Sequence, residues 1–179
     1  FWKNNFDVIC IGKSRNVNTI ALNGISLKST VYGDFTATPR ASTRLSICVD
    51  VLFVSVKTPS LERALNRIDL DVVKPSLVVP LMNGRGHYEV LREAFGKKVV
   101  AGTIGAVEAS KVGKIVHHYS EARPKIELGS NDASLLERLS ALEDTLKLVG
   151  IKTETLTCEE DVIWNKLIRL DVIASMTTA

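Results

Sequence analysis

Asn83-Gly84-Arg85-Gly86 stands just past the end of an apolar run, Leu77–Leu81. Two glycines around an arginine permit positive φ or a close backbone approach. The same four residues also make an ordinary turn into a helix. Lys57 ends a second apolar run, Val49–Val56. In an open parallel sheet, ligands bind at the carboxyl ends of the strands. If the two runs are neighbouring strands, Lys57 and Asn83 share that edge. A cation and an amide there can hold a charged, polar ligand. The segment is not a Gly-x-Gly-x-x-Gly fingerprint, because position 89 is Glu.

Lys13-Ser14-Arg15 follows a β-branched run, Asp7–Gly12, and contains no carboxylate. At the end of the second strand of a dinucleotide-binding sheet, a basic residue accommodates the 2′-phosphate of NADP, where an acidic one selects NAD. The alternative is a solvated basic turn. Lys166 lies among Ile163, Leu167 and Leu170. A lysine partly desolvated by such neighbours can act as a general acid, or it can snorkel from an amphipathic face. His117 and His118 are adjacent, so in a strand they face opposite sides and make a poor metal pair. No Cys/His spacing suggests zinc, and no metal site is expected.

The elements that must position these residues read as follows. Asp7–Gly12 is a buried strand, and Val17–Asn23 a short helix closed by Gly24. Ile25–Thr38, with Gly33, is a pair of short strands. Val49–Val56 is a strand. Pro59 and Ser60 open a helix with Leu61, Ala64, Leu65 and Ile68 on one face. Leu77–Leu81 is the next strand, and His87–Phe95 a helix with Val90, Leu91 and Ala94 inward, closed by Gly96. Lys98–Ile104 is a further strand. Beyond a turn at Lys111–Lys114, Ile115–Tyr119 and Lys125–Leu128 read as antiparallel strands. Ser134–Val149 is an amphipathic helix and Ile151–Leu156 an edge strand. Thr157-Cys158-Glu159-Glu160 has the capping-box pattern of a helix start. Alternating strands and helices predict an α/β fold with a mostly parallel sheet and helices on both faces.

The 179 residues are 45% apolar and 24% charged, which argues against disorder. A net charge of +3 with no aromatic residues interleaved in a basic run gives no reason to expect a nucleic-acid partner. No apolar run reaches the ~20 residues needed to span a bilayer, so no membrane partner is expected. Cys10, Cys48 and Cys158 read as buried free thiols in a reducing, cytoplasmic compartment.

Together, these stretches resemble ketopantoate reductase (2-dehydropantoate 2-reductase). The resemblance is carried by Asp7–Gly12 with Lys13-Ser14-Arg15, by Val56-Lys57 and by Pro80–Gly86. The hairpin around Lys111–His118 and the segment Ile163-Trp164-Asn165-Lys166-Leu167 complete it. It implies NADPH-dependent reduction of ketopantoate to pantoate, on the route to pantothenate and coenzyme A. It implies a Rossmann-like NADP-binding domain over residues 1–157 and, over 158–179, the first helix of a helical substrate domain. By position, Lys13, Ser14 and Arg15 would hold the 2′-phosphate, and Lys57 would sit by the cofactor. Asn83 would lie near the nicotinamide and substrate, and Lys166 would donate a proton to the ketone oxygen. A homodimer is one assembly consistent with it.

The sequence departs from the family pattern in two ways. The family's Gly-rich phosphate loop would precede Phe1, and most of its C-terminal domain would follow Ala179, so an incomplete copy is expected. The family often has asparagines one and two turns after the lysine, where this chain has Leu170 and Ala174, with Asp171 and Ser175 offset by one residue. That leaves two other readings. One is a related dehydrogenase acting on another 2-keto acid or an imine. The other is a non-catalytic dinucleotide-binding protein.

Overall fold

The computed structural model describes residues 1–105 and 107–177, and for 169–177 the backbone alone. In chain order the elements are β1 (Ile9–Ile11), α1 (Ser14–Asn23), β2 (Ile25–Ser29), β3 (Phe35–Ala37), β4 (Arg40–Ser42), β5 (Val51–Val54) and α2 (Leu61–Leu65). They continue with β6 (Leu77–Pro80), α3 (His87–Phe95), β7 (Ala101–Gly105), β8 (Ala109–Val112) and β9 (Ile115–His118). The last are β10 (Lys125–Gly129), α4 (Leu136–Leu148), β11 (Lys152–Leu156) and α5 (Glu159–Thr177). They form two compact units. One comprises Phe1–Ile47, Glu62–Val73 and 107–124; the other comprises Cys48–Leu61, Lys74–Gly105 and 125–177.

In the first unit β1 pairs in parallel with β4, Cys10 opposite Ala41. The helix α1 begins at Ser14, three residues before the expected start, so Lys13 is its N-cap and not part of a free turn. Gly24 ends it with φ 67°, its N–H bonded to Ile20 O. A Cβ at Gly24 would stand 2.5 Å from Ala37 O, so only glycine fits between the helix and β3. The two strands expected between Ile25 and Thr38 are β2 and β3, paired antiparallel. On its other edge β2 takes β9 in parallel. Ser29 Oγ accepts the N–H groups of Val31 and Tyr32, so its own hydrogen goes to His118 Nδ1 at 2.9 Å.

The second unit is built on a five-strand run. β5 and β6 pair in parallel, Val54 opposite Pro80. A parallel bridge from Val78 to Val99 leads β7 alongside β6. β7 pairs antiparallel with β10, and β10 pairs in parallel with β11. The apolar run Leu77–Val79 is inaccessible because it lies between two neighbours and under helices. Leu139, Leu142 and Leu146, spaced three and four apart on α4, complete the core. A Cβ at Gly102 would meet Val79 Cγ1 at 2.7 Å and Pro80 O at 2.9 Å, which accounts for glycine in β7.

The structure departs from the sequence reading at several elements. Ile115–His118 and Lys125–Gly129 are antiparallel strands, but to β8 and β7 respectively and not to each other. The helix opened by Pro59 ends at Leu65. Ile68 leaves the expected stripe and bridges Leu45, whose N–H bonds Arg67 O at 2.8 Å. α5 begins at Glu159, and the Glu159 N–H is taken by the side-chain oxygen of Asn131 at 3.0 Å. The Thr157 capping box is thus replaced by a cap from the loop after β10. Among the described residues, no helix is long and apolar enough to cross a membrane.

Candidate functional site

The site is built where β6 runs out. Leu81 N–H bonds Val54 O at 2.8 Å, which carries the β5–β6 pairing one residue past the strand. Lys57 and Asn83 each stand three residues beyond the paired Val54 and Pro80. Both are exposed at the carboxyl ends of neighbouring parallel strands, as the sequence predicts. Gly84 has φ 86°, and a Cβ there would meet nothing within 4 Å. It therefore turns the chain toward α3 while leaving its backbone open to approach.

α5 brings Lys166 to the same place. Its N-terminus is tied to the loop after β10 by Asn131, which donates to Glu160 Oε2 at 3.1 Å as well as accepting from Glu159. It lies tightly on β10: a Cβ at Gly129 would stand 2.7 Å from Val162 Cγ2 and 3.0 Å from Cys158 O. One turn later Lys166 is half-buried and lines a hollow with Met82, Gly84, Tyr88, Thr103, Ile163 and Leu167. Sequence reasoning placed Lys166 on an apolar face; the walls of this hollow supply that face. The further positions Leu170, Asp171, Ala174 and Ser175 lie outside the residues whose side chains are described.

α3 forms the other wall. Tyr88 is buried, and its hydroxyl lies between Gly102 N, 3.3 Å away, and Gly102 O, 3.5 Å away. Burial raises its pKa; its contacts with Gly102 and Arg92 pull the other way, and Glu159 adds to the rise. His87, 1% exposed, packs against Tyr88 with ring centroids 4.3 Å apart and the rings tilted by 35°. Neither of its ring nitrogens has a hydrogen-bond partner among the described residues. Burial, and then the charge of Lys166, lower its pKa. Arg85 lies 5.3 Å from the centre of the Trp164 ring, and Arg92 pairs with Glu159.

Behind the hollow is a polar row on the sheet. Glu127 faces Thr103 across β10 and β7 and is 5% exposed. It accepts from Thr103 Oγ1 at 3.4 Å and from Lys125 Nζ at 2.9 Å. Lys125 also reaches Glu154 at 2.7 Å, and its bonds to Glu154 and Glu127 raise its pKa. None of His87, Tyr88, Thr103 and Glu127 stood out in the sequence. The available signal was Glu127 between Ile126 and Leu128: alternation reads it as solvent-facing, whereas here α5 covers that face.

Lys13, Ser14 and Arg15 lie in the first unit, exposed, at the start of α1 just after β1. Among the described residues, no cluster of three or more His, Cys, Asp or Glu side chains could hold a metal ion.

The arrangement can place a cation beside a ligand held at the strand ends, against apolar walls. Comparison with known proteins identifies the family. The family model for ketopantoate reductase PanE/ApbA matches residues 2–133. The chain is 30% identical over 132 residues to the uncharacterized oxidoreductase YkpB of Bacillus subtilis (strain 168), covering 72% of this chain and 43% of that protein. Its fold is similar to that of 2-dehydropantoate 2-reductase from Porphyromonas gingivalis W83, with TM-score 0.80 and 21% identity, over 96% of this chain and 61% of the other. It is also similar to D-mandelate dehydrogenase in a ternary structure with NADH and anilino(oxo)acetate, with TM-score 0.79 and 19% identity, over 92% and 54% of the two chains. The chain thus spans about half the length of these relatives. With a match of that extent to the family model, the chain belongs to the ketopantoate reductase PanE/ApbA family of oxidoreductases.

Proposed function

We propose that the protein carrying this chain reduces a 2-keto acid with NADPH, and that ketopantoate is its substrate. The observation that carries this reading is the convergence of Lys166 from α5 with Gly84 from the turn after β6 on one hollow. When bound, the dinucleotide supplies the hydride. Lys13 and Arg15 would hold its 2′-phosphate, with Ser14 adding a hydroxyl. Two exposed cations, one at the N-cap and one in the first turn of a helix with no acidic residue in that turn, suit a phosphate. Lys57 and Asn83 would flank the cofactor, and Asn83 would also lie by the nicotinamide and the substrate.

Lys166 would give its proton to the ketone oxygen, which gains a pair of electrons as its carbon is reduced. A preorganised cation at that oxygen also stabilises the developing alkoxide. The lowered pKa of His87 suits this role, because a second buried positive charge beside Lys166 would favour its losing the proton early.

The test is NADPH consumption by the full protein, with ketopantoate and with 2-keto acids bearing linear or aromatic side chains. Turnover fastest with ketopantoate supports the assignment. Turnover confined to another 2-keto acid replaces the substrate and keeps the mechanism. That second reading is favoured by the structural similarity to D-mandelate dehydrogenase, whose ternary structure holds an oxoacetate, and by Leu170 and Ala174 in the sequence. NADPH binding with no turnover on any of them would leave the non-catalytic reading.

A further inference from the structure

We propose that Glu127 and Thr103 form a positioning pair that makes the Lys166 hollow a hydrogen-bond acceptor for a ligand amide N–H. This rests on the reading above, in which the nicotinamide end of the dinucleotide lies beside Asn83 and Lys166.

The placement follows from the packing of α5 on the sheet. The helix starts over Gly129, where Val162 sits, and its next turn reaches the hollow that Thr103 also lines. Four residues on, about 6 Å along a helix, is Lys166. Two residues back along the strand, about 7 Å, is Glu127. The strand residue directly opposite Glu127 is Thr103, which lines the hollow together with Lys166. Glu127 and Thr103 are 5% and 6% exposed, so the pair is shielded from bulk water.

The polarity of the pair is fixed by its donors. Lys125 Nζ donates to Glu127 Oε1, and Glu127 Oε2 takes the hydroxyl hydrogen of Thr103. A carboxylate can only accept. Thr103 Oγ1 has therefore committed its one hydrogen, and what it offers the hollow is its lone pairs. A ligand atom that meets it must bring an N–H or O–H. The nicotinamide carboxamide carries such a group; a methyl ketone of the same shape does not. A buried acceptor left without its donor is costly, so the pair discriminates between them.

The test uses the full protein and needs no turnover. Binding of NADPH is measured by fluorescence titration against its reduced 3-acetylpyridine analogue, in which CH3 replaces the amide NH2. The expected wild-type preference for NADPH is about fivefold or more, the effect of one buried hydrogen bond. Thr103→Ser should keep that ratio, and Thr103→Val should bring it to about one.

Glu127→Gln is the sharper variant. With its carbonyl oxygen turned to the Lys125 ammonium, its NH2 faces Thr103 and donates to it. The Thr103 hydrogen then turns into the hollow, the acceptor becomes a donor, and the ratio should also fall to about one. A variant that only loosened the fold would weaken both ligands alike and leave the ratio standing. A wild-type ratio near one, or a ratio unchanged in Glu127→Gln, overturns the inference while leaving the reductase reading intact. Failure to bind either dinucleotide overturns both.

Discussion

His87, whose ring nitrogens have no hydrogen-bond partner among the described residues, still sets conditions on the fold. Unfolded, it titrates near 6.5; folded, burial and then the Lys166 charge hold its pKa lower. Below pH 6.5 the unfolded chain therefore binds a proton that the folded chain refuses. Its contribution is fully present above 6.5 and is lost as pH falls toward the folded value. Urea denaturation of the wild type and of His87→Phe at pH 7.5 and pH 5.5 checks this. The stability difference between them should shift in favour of the variant at pH 5.5, and a difference independent of pH would contradict it. A second prediction concerns Lys13 and Arg15. Replacing both with Glu should weaken NADPH binding by about tenfold or more, the worth of a charge-assisted hydrogen bond, and leave NADH binding within a few-fold. Equal loss for both dinucleotides would remove these residues from the 2′-phosphate. The residues legible in the sequence were those with distinctive neighbours: a lysine at a strand end, an Asn-Gly turn, and a lysine on an apolar helix face. His87, Thr103 and Glu127 were not legible, because what matters in them is burial by an element distant in the chain.

At the scale of elements, the hold of α5 on the sheet decides whether Lys166 reaches its place. Gly129→Ala forces its Cβ against Val162 Cγ2 and the Cys158 carbonyl, at 2.7 and 3.0 Å. Backbone cannot step aside as a side-chain tip can, so a loss of about 1–3 kcal/mol is expected, the usual cost of overpacking. A melting temperature unchanged from wild type would show that α5 is not held there. Asn131→Ala removes a cap bond to Glu159 N and should cost about 1 kcal/mol, read in the same melting experiment. The sequence signalled elements where apolar period and punctuation agreed. β6 and α3 appear within a residue of expectation, and Gly24 and Gly96 close their helices with positive φ. It was silent on β4, because Arg40-Ala41-Ser42 has no β-branched or alternating pattern and is a strand only by pairing with β1. It misjudged α2 because the stripe through Ile68 is broken by Leu45, whose backbone captures the chain at Arg67 and Asp69. It placed the start of α5 within a residue but not its cap, which a distant Asn131 supplies in place of the local threonine.

At the scale of the whole molecule, periodicity supported the α/β class and resemblance supported the family, and the two agree. The pairing of β10 with β7 was beyond either, since a strand's partner depends on chain that is remote in sequence. The chain spans about half of its relatives, so its activity belongs to the full protein, and tests of catalysis must use that protein. The role proposed for Lys166 is to deliver the proton in reduction of a 2-keto acid by NADPH. The most direct test is the kcat of NADPH oxidation by ketopantoate, in the full protein and in its Lys166→Ala variant, with NADPH affinity measured alongside. The expected result is a fall in kcat of roughly 10²–10⁴-fold, the usual worth of a general acid, with NADPH affinity changed by no more than about twofold. A variant that turns over ketopantoate within a few-fold of the wild type would contradict it.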